Sequence, residues 1–144
     1  MEILVTRLHP DAVVPDVAHP GDAGWDLVAV EPVHLAAGGG RALVATGLAI
    51  AIPEGHAGFV LPRSGLASRH GVTCANAPGL IDSGYRGEVR VALVNLDPSV
   101  DYDVAAGDRI AQLVILAVAP TTFRLVADLP ESHRGDGGFG SSGR

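Results

Sequence analysis

The stretch Gly79-Leu80-Ile81-Asp82-Ser83-Gly84-Tyr85-Arg86-Gly87-Glu88 runs from apolar residues through a polar turn into residues 88–94, which have strand character. An apolar segment, a turn and a strand in this order are typical of a β-hairpin, with Ser83-Gly84 near its tip. An acid, an aromatic ring and a cation lie close to that tip, which makes the stretch a candidate functional site. Asp and Gly are also ordinary turn residues, so this decamer alone leaves a purely structural turn open.

The chain on either side of this stretch predicts an all-β fold. Apolar alternation between Gly and Pro turns predicts short strands, and only residues 64–70 have helical character. Many short strands with one short helix are typical of a sandwich, a jelly roll or a barrel. The predicted strands outside the hairpin are residues 2–8, 25–29, 33–35, 41–52, 57–61, 72–75, 100–104, 109–118 and 121–126.

Residues 109–118 are apolar on both faces of their predicted strand. Ile110 and Val114 point to one side, whereas Leu113 and Ile115 point to the other. A strand of this kind is buried on both sides. It is therefore either central in the fold or packed against another subunit, which is mild evidence for an oligomer.

Length and charge limit the class of protein. The 144 residues suffice for one domain with its own core, and the net charge of −6 disfavours generic nucleic-acid binding. Cys74 is the single cysteine, which excludes an intramolecular disulfide and fits a reducing compartment. The N-terminus shows no signal peptide and no apolar run could span a bilayer, so we expect a cytoplasmic protein without a membrane partner.

The composition changes from residue 128 onward. Residues 134–144 are rich in Gly and Ser and cannot form a core element. Most such tails are disordered. Phe139, however, has no apolar neighbours to pack with, and a flexible arm with Arg134 and Phe139 offers a cation and a flat ring, as a ligand lid needs.

Pro62-Arg63-Ser64-Gly65 lies between a predicted strand and the predicted helix. Ser64 could cap that helix, and free backbone N–H groups beside Arg63 would form an anion site. A plain capped turn explains the same tetrapeptide equally simply.

Two polar residues stand out on otherwise apolar segments. Asp26, in Gly24-Trp25-Asp26-Leu27, could hold a water on a hard cation such as Mg²⁺ or simply cap a turn. Gln112, in an apolar strand, needs a hydrogen-bond partner if it is buried. The six histidines show no metal-ligand spacing, and a structural zinc is not expected.

Together these segments resemble the five ordered motifs of the trimeric deoxyuridine triphosphatases (dUTPases), in both order and spacing, over essentially the whole chain. The third and fifth segments are the most specific of the five. The segments are residues 23–27, 62–65, 79–88, 107–112 and 134–143.

The resemblance implies a homotrimer of distorted jelly rolls, or β-clip barrels, with each active site built from all three chains. Residues 1–127 would form the jelly-roll domain, and residues 128–144 a flexible Gly-rich arm that closes over an active site. The implied reaction is hydrolysis of dUTP to dUMP and pyrophosphate, with Mg²⁺ chelated by the triphosphate. Such an enzyme limits uracil in DNA and supplies dUMP for thymidylate synthesis.

The third motif implies roles for individual residues. Asp82 would be the general base that deprotonates the water attacking the α-phosphorus, without a covalent intermediate. Tyr85 would lie against the deoxyribose and exclude a 2′-hydroxyl, and Arg86 would brace the hairpin. The uracil edge would be read by Asn76, Arg90 and the hairpin residues Leu80 and Ile81.

The other motifs imply contacts to the phosphates and the metal. Asp26 would touch Mg²⁺ only through water, and Phe139 would stack on the uracil. The predicted phosphate and arm contacts are Arg63, Ser64, Gly65, Gln112, Arg134, Gly140, Ser141 and Ser142.

Two other functions compete with this interpretation. A dCTP deaminase shares the fold but needs a glutamate base, and Glu88 is the only acid near the hairpin besides Asp82. A non-catalytic trimeric interaction module would be favoured by degenerate motifs, especially by loss of Asp82 or Arg134, and both residues are present.

Overall fold

The computed structural model describes residues 1–138 and confirms the all-β fold. Its helix α1 spans Ser64–His70, the bounds predicted from the sequence. Within residues 1–138, no helix has the length and apolar character that a bilayer crossing requires. The strands of this part of the chain are β1 Leu4–Arg7, β2 Trp25–Val28, β3 Val33–Leu35, β4 Arg41–Ala51, β5 His56–Pro62, β6 Val72–Cys74, β7 Gly79–Ile81, β8 Glu88–Asn95, β9 Tyr102–Val104 and β10 Arg109–Ala117.

The strands form two four-stranded sheets and one small sheet, all antiparallel. One large sheet has the order β1-β4-β8-β6 and the other has the order β2-β10-β5-β7, while β3 pairs with β9. The described strands do not close into a barrel. The described sheets therefore agree with the predicted all-β fold built from packed sheets, and they do not form a closed barrel.

Strand β10 lies in the middle of its sheet, between β2 and β5. Gln112 is opposite Asp26 on one side and opposite Leu61 on the other. In the N-terminal half of β10, burial within one chain therefore explains why both faces of the strand are apolar. At the other end of the segment Leu116 and Val118 are half exposed, so this end is not covered within the chain.

A single core lies between the sheets. The buried side chains include Leu27 and Leu113 from the second sheet, Val44 and Leu93 from the first, and Leu35 from the small sheet. Each such side chain contributes about 1.5–3 kcal/mol when it is fully removed from water. Because all three sheets supply this cluster, the core fixes the sheets relative to one another.

Two buried polar side chains in this core are hydrogen-bonded. Thr46 Oγ1 donates to the Val89 carbonyl at 2.6 Å. Asn95 Nδ2 donates to the carbonyls of Leu35 and Val100 at 3.1 and 2.9 Å, and Asn95 Oδ1 accepts from the Asp97 backbone. The Asn95 amide therefore ties the small sheet to β8.

Cys74 is a buried core residue on β6. Burial raises the pKa of the Cys74 thiol above its ordinary value. The reactive thiolate form is therefore disfavoured.

The hairpin predicted from residues 79–94 is wrong in its pairing. Strand β7 pairs with β5, whereas β8 pairs with β4 and β6 in the other large sheet. The local sequence pattern correctly predicts a strand, a turn and a second strand. It does not determine with which other strands these two strands form backbone hydrogen bonds. Residues 82–87 thus connect two sheets instead of closing one hairpin.

The strand predicted for residues 121–126 is also absent from the described structure. Phe123 and Leu125 are 98% and 100% exposed, and this alternating segment has no sheet neighbour among residues 1–138. Apolar alternation is a property of the segment, but strand formation also needs a partner for its backbone.

A histidine in the small sheet contacts two carboxylates, one on the neighbouring strand β9 and one just before that strand. His34 on β3 lies opposite Asp103 on β9, with 2.6 Å between Nδ1 and Oδ1. The His34 Nε2 atom lies 3.6 Å from Asp101 Oδ2. The hydrogen bond to Asp103 raises the pKa of His34 above its ordinary value of 6.5, although the ring is exposed.

This pair predicts a pH-dependent part of the stability. Because the pKa is raised in the folded state, the stabilisation is complete below the unfolded pKa and is lost as the pH rises through the folded pKa. The melting temperature should therefore fall more between about pH 6 and about pH 8 in the native chain than in His34→Gln. Thermal denaturation at both pH values measures the difference, with His133→Gln as the exposed-histidine control. Equal pH dependence of the native chain and His34→Gln would contradict this assignment.

Candidate active site

Strand β7 brings Asp82 to the molecular surface at the edge of the second sheet. Leu80 lies opposite Phe59, and Ile81 lies opposite Gly58. Ile81 is buried and Leu80 is exposed, as expected for alternating strand side chains. Asp82 follows directly and is exposed, so its carboxylate is accessible from solvent.

A surface pocket of about 280 Å³ lies beside Asp82. It brings together five residues that the sequence predicts as site residues. The pocket is lined by Leu43, Leu80, Ile81, Asp82, Tyr85, Glu88, Val89 and Arg90. Its lining combines apolar side chains with two carboxylates, a phenol and a guanidinium.

The connection that carries Asp82 is braced by its own side chains. The Tyr85 backbone N–H donates to the Asp82 carbonyl at 3.0 Å. Arg86 NH1 donates to the carbonyls of Ser83 and Tyr85, each at 2.7 Å. Arg86 therefore stabilises the turn, as the sequence predicts.

Glu88 forms an ion pair with Arg90, and both residues line the same pocket. Arg90 Nε donates to Glu88 Oε2 at 2.6 Å, and the Gly47 backbone N–H donates to Glu88 Oε1 at 2.9 Å. Burial raises the pKa of Glu88, but the hydrogen bonds from Arg90 and Gly47 outweigh it, and the pKa lies below its ordinary value. Both carboxylate oxygens are thus engaged within the protein.

A second cluster joins Asp26 to two arginines. Arg63 Nε lies 3.3 Å from Asp26 Oδ1, and Arg109 NH1 donates to Asp26 Oδ2 at 3.1 Å. Arg63 NH1 also donates to the Arg109 carbonyl at 2.9 Å. The Asp26 side chain is only 10% exposed, so the two guanidinium groups offset a carboxylate that has lost most of its water.

Asp26 Oδ1 is a buried acceptor without a well-aligned hydrogen bond. A water molecule held by a cation would donate to an oxygen of this kind, so the residue fits an outer-sphere role toward Mg²⁺. Within residues 1–138, no group of three or more His, Cys, Asp or Glu side chains could hold a metal ion.

The start of helix α1 differs from the sequence prediction. Arg63 is the N-cap residue, with extended backbone angles of −85° and 129°, and no side chain caps the helix. Ser64 is already the first helical residue, so its predicted role as the cap is wrong. Ser64 and Gly65 are exposed, which leaves the first turn open to solvent.

Gln112 and Asn76 each pack on a glycine. A Cβ atom at Gly24 would lie 3.1 Å from Gln112 Cδ, and one at Gly79 would lie 3.3 Å from Asn76 Nδ2. The Gln112 amide therefore lies against the loop before β2, close in the chain to Asp26. Asn76 is exposed at the start of the segment that leads to Asp82.

Arg63 and Arg109 line a separate pocket of about 220 Å³. The other lining residues include Leu66, Tyr102, Asp108 and Ile110. This pocket shares no lining residue with the pocket beside Asp82. Of the residues predicted to read the base, Leu80, Ile81 and Arg90 line the first pocket and Asn76 does not. Of the predicted phosphate contacts, Arg63 lines the second pocket.

The C-terminal residues are described only in part. Arg134 lies in an exposed turn, where its Nε donates to the Gly137 carbonyl at 2.8 Å. The predicted contacts Phe139, Gly140, Ser141 and Ser142 lie outside the described residues.

Two residues near these sites were not predicted as site residues. Arg109 pairs with Asp26, and Glu88 pairs with Arg90. Opposite charges two residues apart on a strand share a face, so the Glu88–Arg90 pair was readable from the sequence. The Arg109–Asp26 pair depends on the register of β10 and β2, which local sequence does not give.

The chain is similar in sequence to proteins of one kind. A sequence model described as dUTPase matches residues 11–143. The deoxyuridine 5′-triphosphate nucleotidohydrolase of Thermobifida fusca is 55% identical over 143 residues, which cover 99% of this chain and 79% of the relative. The protein of the same name from Leifsonia xyli subsp. xyli is 58% identical over 130 residues, which cover 90% of this chain and 85% of the relative.

Solved structures resemble the fold over nearly its full length. The Staphylococcus bacteriophage 80alpha dUTPase with dUPNHPP superposes with a TM-score of 0.91 at 29% identity, covering 99% of both chains. The D95N mutant dUTPase of the S. aureus phage phi11, described with a structural Mg(II) ion, has a TM-score of 0.79 at 26% identity, covering 89% of this chain and 98% of that chain.

Proposed function

This chain belongs to the dUTPase family and is a dUTP diphosphatase, and we propose that it hydrolyses dUTP to dUMP and pyrophosphate with Asp82 as the general base. The observation that carries the mechanism is the pocket that holds the Asp82 carboxylate beside Tyr85 and Arg90. A carboxylate, an aromatic ring and a cation at one pocket suit a nucleotide, which has phosphates, a sugar and a flat base.

In the proposed reaction, water attacks the α-phosphorus of dUTP. The bond from the water oxygen to the α-phosphorus forms, the bond from this phosphorus to the bridging oxygen breaks, and pyrophosphate leaves. The proton of the water passes to the Asp82 carboxylate. The exposure of Asp82 at the end of β7 supports this role, because the attacking water must reach it.

We assign base and sugar recognition to the residues around the same pocket. Tyr85 would lie against the deoxyribose and exclude the 2′-hydroxyl of a ribonucleotide. The backbone of Leu80 and Ile81 is held by pairing with β5, which supports recognition of uracil by rigidly placed donors and acceptors. Arg90 and Asn76 would complete the contacts to the base.

The phosphates would be held by residues of the second cluster and of the arm. The solvent-open first turn of α1 supports contacts from Ser64 and Gly65, and the guanidinium of Arg63 has donors beyond its two observed contacts. Such positive groups stabilise charge that develops on transferring phosphoryl oxygens. The proposed contacts outside α1 are Gln112, Arg134, Phe139, Gly140, Ser141 and Ser142, of which Phe139 would stack on the uracil.

Mg²⁺ would enter the site with the triphosphate. When bound, the ion would neutralise phosphate charge and orient the leaving pyrophosphate. Asp26 would receive a hydrogen bond from water on the ion through its Oδ1 atom, which has an ion-pair contact with Arg63 but no well-aligned hydrogen bond. The role of Asp26 is thus to hold the ligand-borne cation in position, with its own charge kept in place by Arg63 and Arg109.

We infer that the chain acts as a homotrimer in which neighbouring chains complete each site. In one chain the pocket beside Asp82 and the pocket lined by Arg63 share no lining residue, which supports completion of each site by residues of another copy. The exposed Phe123 and Leu125 of residues 121–126 support contact with a second chain, because an apolar alternating segment without a sheet neighbour can pair with a sheet of another copy. With a single buried cysteine, this assembly suits the cytoplasm, where dUMP feeds thymidylate synthesis.

The contacts of Glu88 disfavour deamination of dCTP by this chain. A deaminase would need the Glu88 carboxylate free to act on the cytosine amino carbon. Both oxygens of Glu88 are instead bound to Arg90 and Gly47, and the lowered pKa keeps the group ionised.

A substrate comparison tests the proposed activity. With Mg²⁺, pyrophosphate release from dUTP should exceed release from UTP by about 100-fold or more in kcat/KM, because the ring of Tyr85 blocks the extra hydroxyl. Release from dTTP and dCTP should be similarly weak. Equal release from UTP would contradict the role of Tyr85, and ammonia with dUMP from dCTP would favour the deaminase.

Replacement of Asp82 tests the base. Asp82→Asn should lower kcat by about 100-fold or more, because an amide does not accept the proton of water. Affinity for the non-hydrolysable dUpNHpp, measured by calorimetry, should remain within roughly threefold of the native value, since the variant keeps its shape. Asp11→Asn, at an exposed position, is the control. Near-normal turnover by Asp82→Asn would remove Asp82 from this role.

Deletion of residues 134–144 tests the arm. The shortened chain should lose about 100-fold or more in kcat/KM, because Arg134 and Phe139 supply charge and stacking at the closed site. Gel filtration and circular dichroism should be unchanged, since the Gly- and Ser-rich sequence of this segment is not expected to form a core element. A monomeric or unfolded product would instead show that the arm is structural.

A further inference from the structure

Gly87 lies under the ring of Tyr85. A Cβ atom built at Gly87 would lie 2.5 Å from Tyr85 Oη, 2.7 Å from Cζ and 3.0 Å from Cε2. Real Cβ atoms essentially never approach other heavy atoms this closely. The ring therefore occupies the space that any side chain at position 87 would need.

The backbone gives no reason for glycine at this position. Eight glycines of the described chain have a positive φ, and Gly87 is not one of them. An alanine could therefore adopt the same backbone angles without strain. The contact with Tyr85 is the steric constraint that remains.

The far end of the ring is also fixed. Tyr85 Oη donates to the Glu88 carbonyl at 2.9 Å. Glu88 is the first residue of β8, and its side chain is itself anchored by Arg90 and Gly47. The phenol is therefore tied down at its hydroxyl, and the missing side chain of Gly87 lets the ring reach that anchor.

We propose that Gly87 is a specificity-determining positioning residue, which sets the position of the Tyr85 ring and thereby the width of the sugar site. Gly87 acts through Tyr85 and needs no contact with the substrate. The inference rests on the proposed role of Tyr85 in excluding the 2′-hydroxyl. A methyl group at position 87 would push the ring away from the Glu88 carbonyl and alter its fit against the sugar.

This displacement should cost little stability. The clashing atoms belong to the outer part of an exposed side chain, which can swing into solvent. A shift of the order of 1 Å in a positioning group is nevertheless enough to change rates strongly. Specificity and stability should therefore respond differently to the same substitution.

The experiment compares kcat/KM for dUTP with kcat/KM for UTP in the native chain, Gly87→Ala and Gly84→Ala. In Gly87→Ala this ratio should fall by about tenfold or more, which corresponds to about 1.4 kcal/mol of discrimination. Gly84→Ala is the matched control, because it lies in the same connection, also lacks a positive φ, and its Cβ would meet nothing within 4 Å. Its ratio should stay within roughly twofold of the native value, and both melting temperatures should stay within about 2 °C.

A double-mutant cycle with Tyr85→Ala separates this inference from the proposed function. Once the ring is removed, Gly87→Ala should cause no further change in the ratio. If Tyr85→Ala lowers the ratio but Gly87→Ala does not, the inference is wrong and the role of Tyr85 stands. If Tyr85→Ala leaves the ratio unchanged, the role of Tyr85 and the inference both fail.

Two further outcomes are decisive. A Gly87→Ala effect that persists in full without the ring would show that Gly87 acts by another route, and would overturn the proposal. If Gly87→Ala does not fold, recovery of folding in the Tyr85→Ala/Gly87→Ala double variant would support the steric account. Failure of both variants to fold would overturn it.

Discussion

The register of β10 against its two neighbours is the constraint on which the rest of the site depends. Gln112 faces Asp26 on β2 and Leu61 on β5, and Arg63 follows β5 directly. These hydrogen-bonded ladders place Asp26 within reach of both Arg63 and Arg109. A slip of one residue would turn every side chain of β10 to the opposite face, so buried Ile110 and Leu113 would lose the core together with the cluster.

The connection from Ile81 to Glu88 adds a second constraint, because it joins the two large sheets. Asp82 follows a strand of one sheet, whereas Arg90 lies on a strand of the other. The width of the pocket between them is therefore set by how the sheets pack on their common core. Three neighbouring residues then fix the local geometry of this connection. Arg86 donates to two carbonyls of the turn, Gly87 lets the Tyr85 ring approach closely, and Glu88 forms an ion pair with Arg90.

Much of this could be predicted from local sequence, and the errors have a common physical origin. The all-β class, the bounds of α1 and the bracing by Arg86 depend on short-range pattern and turn chemistry, and the structure confirms them. The hairpin of residues 79–94 and the strand of residues 121–126 depend on the identity of the pairing partner, which is a tertiary property. The prediction that Ser64 caps α1 was wrong by one residue, because the N-cap position is occupied by Arg63. A shift of one residue at a helix start changes which backbone N–H groups are exposed. The motifs single out Asp26 and Arg63 of the cluster around Asp26, but its third member, Arg109, depends on the register of β10.

Cys74 has a practical consequence for work on this protein in solution. It is the single cysteine of the chain, lies 5% exposed on β6, and has its thiol pKa raised by burial. Reagents that attack thiolates will therefore react slowly with the folded native chain. A cysteine introduced at an exposed site, such as one on the arm, would be the fast-reacting thiol, so a fluorophore or spin label could be attached there without first removing a native side chain from the core.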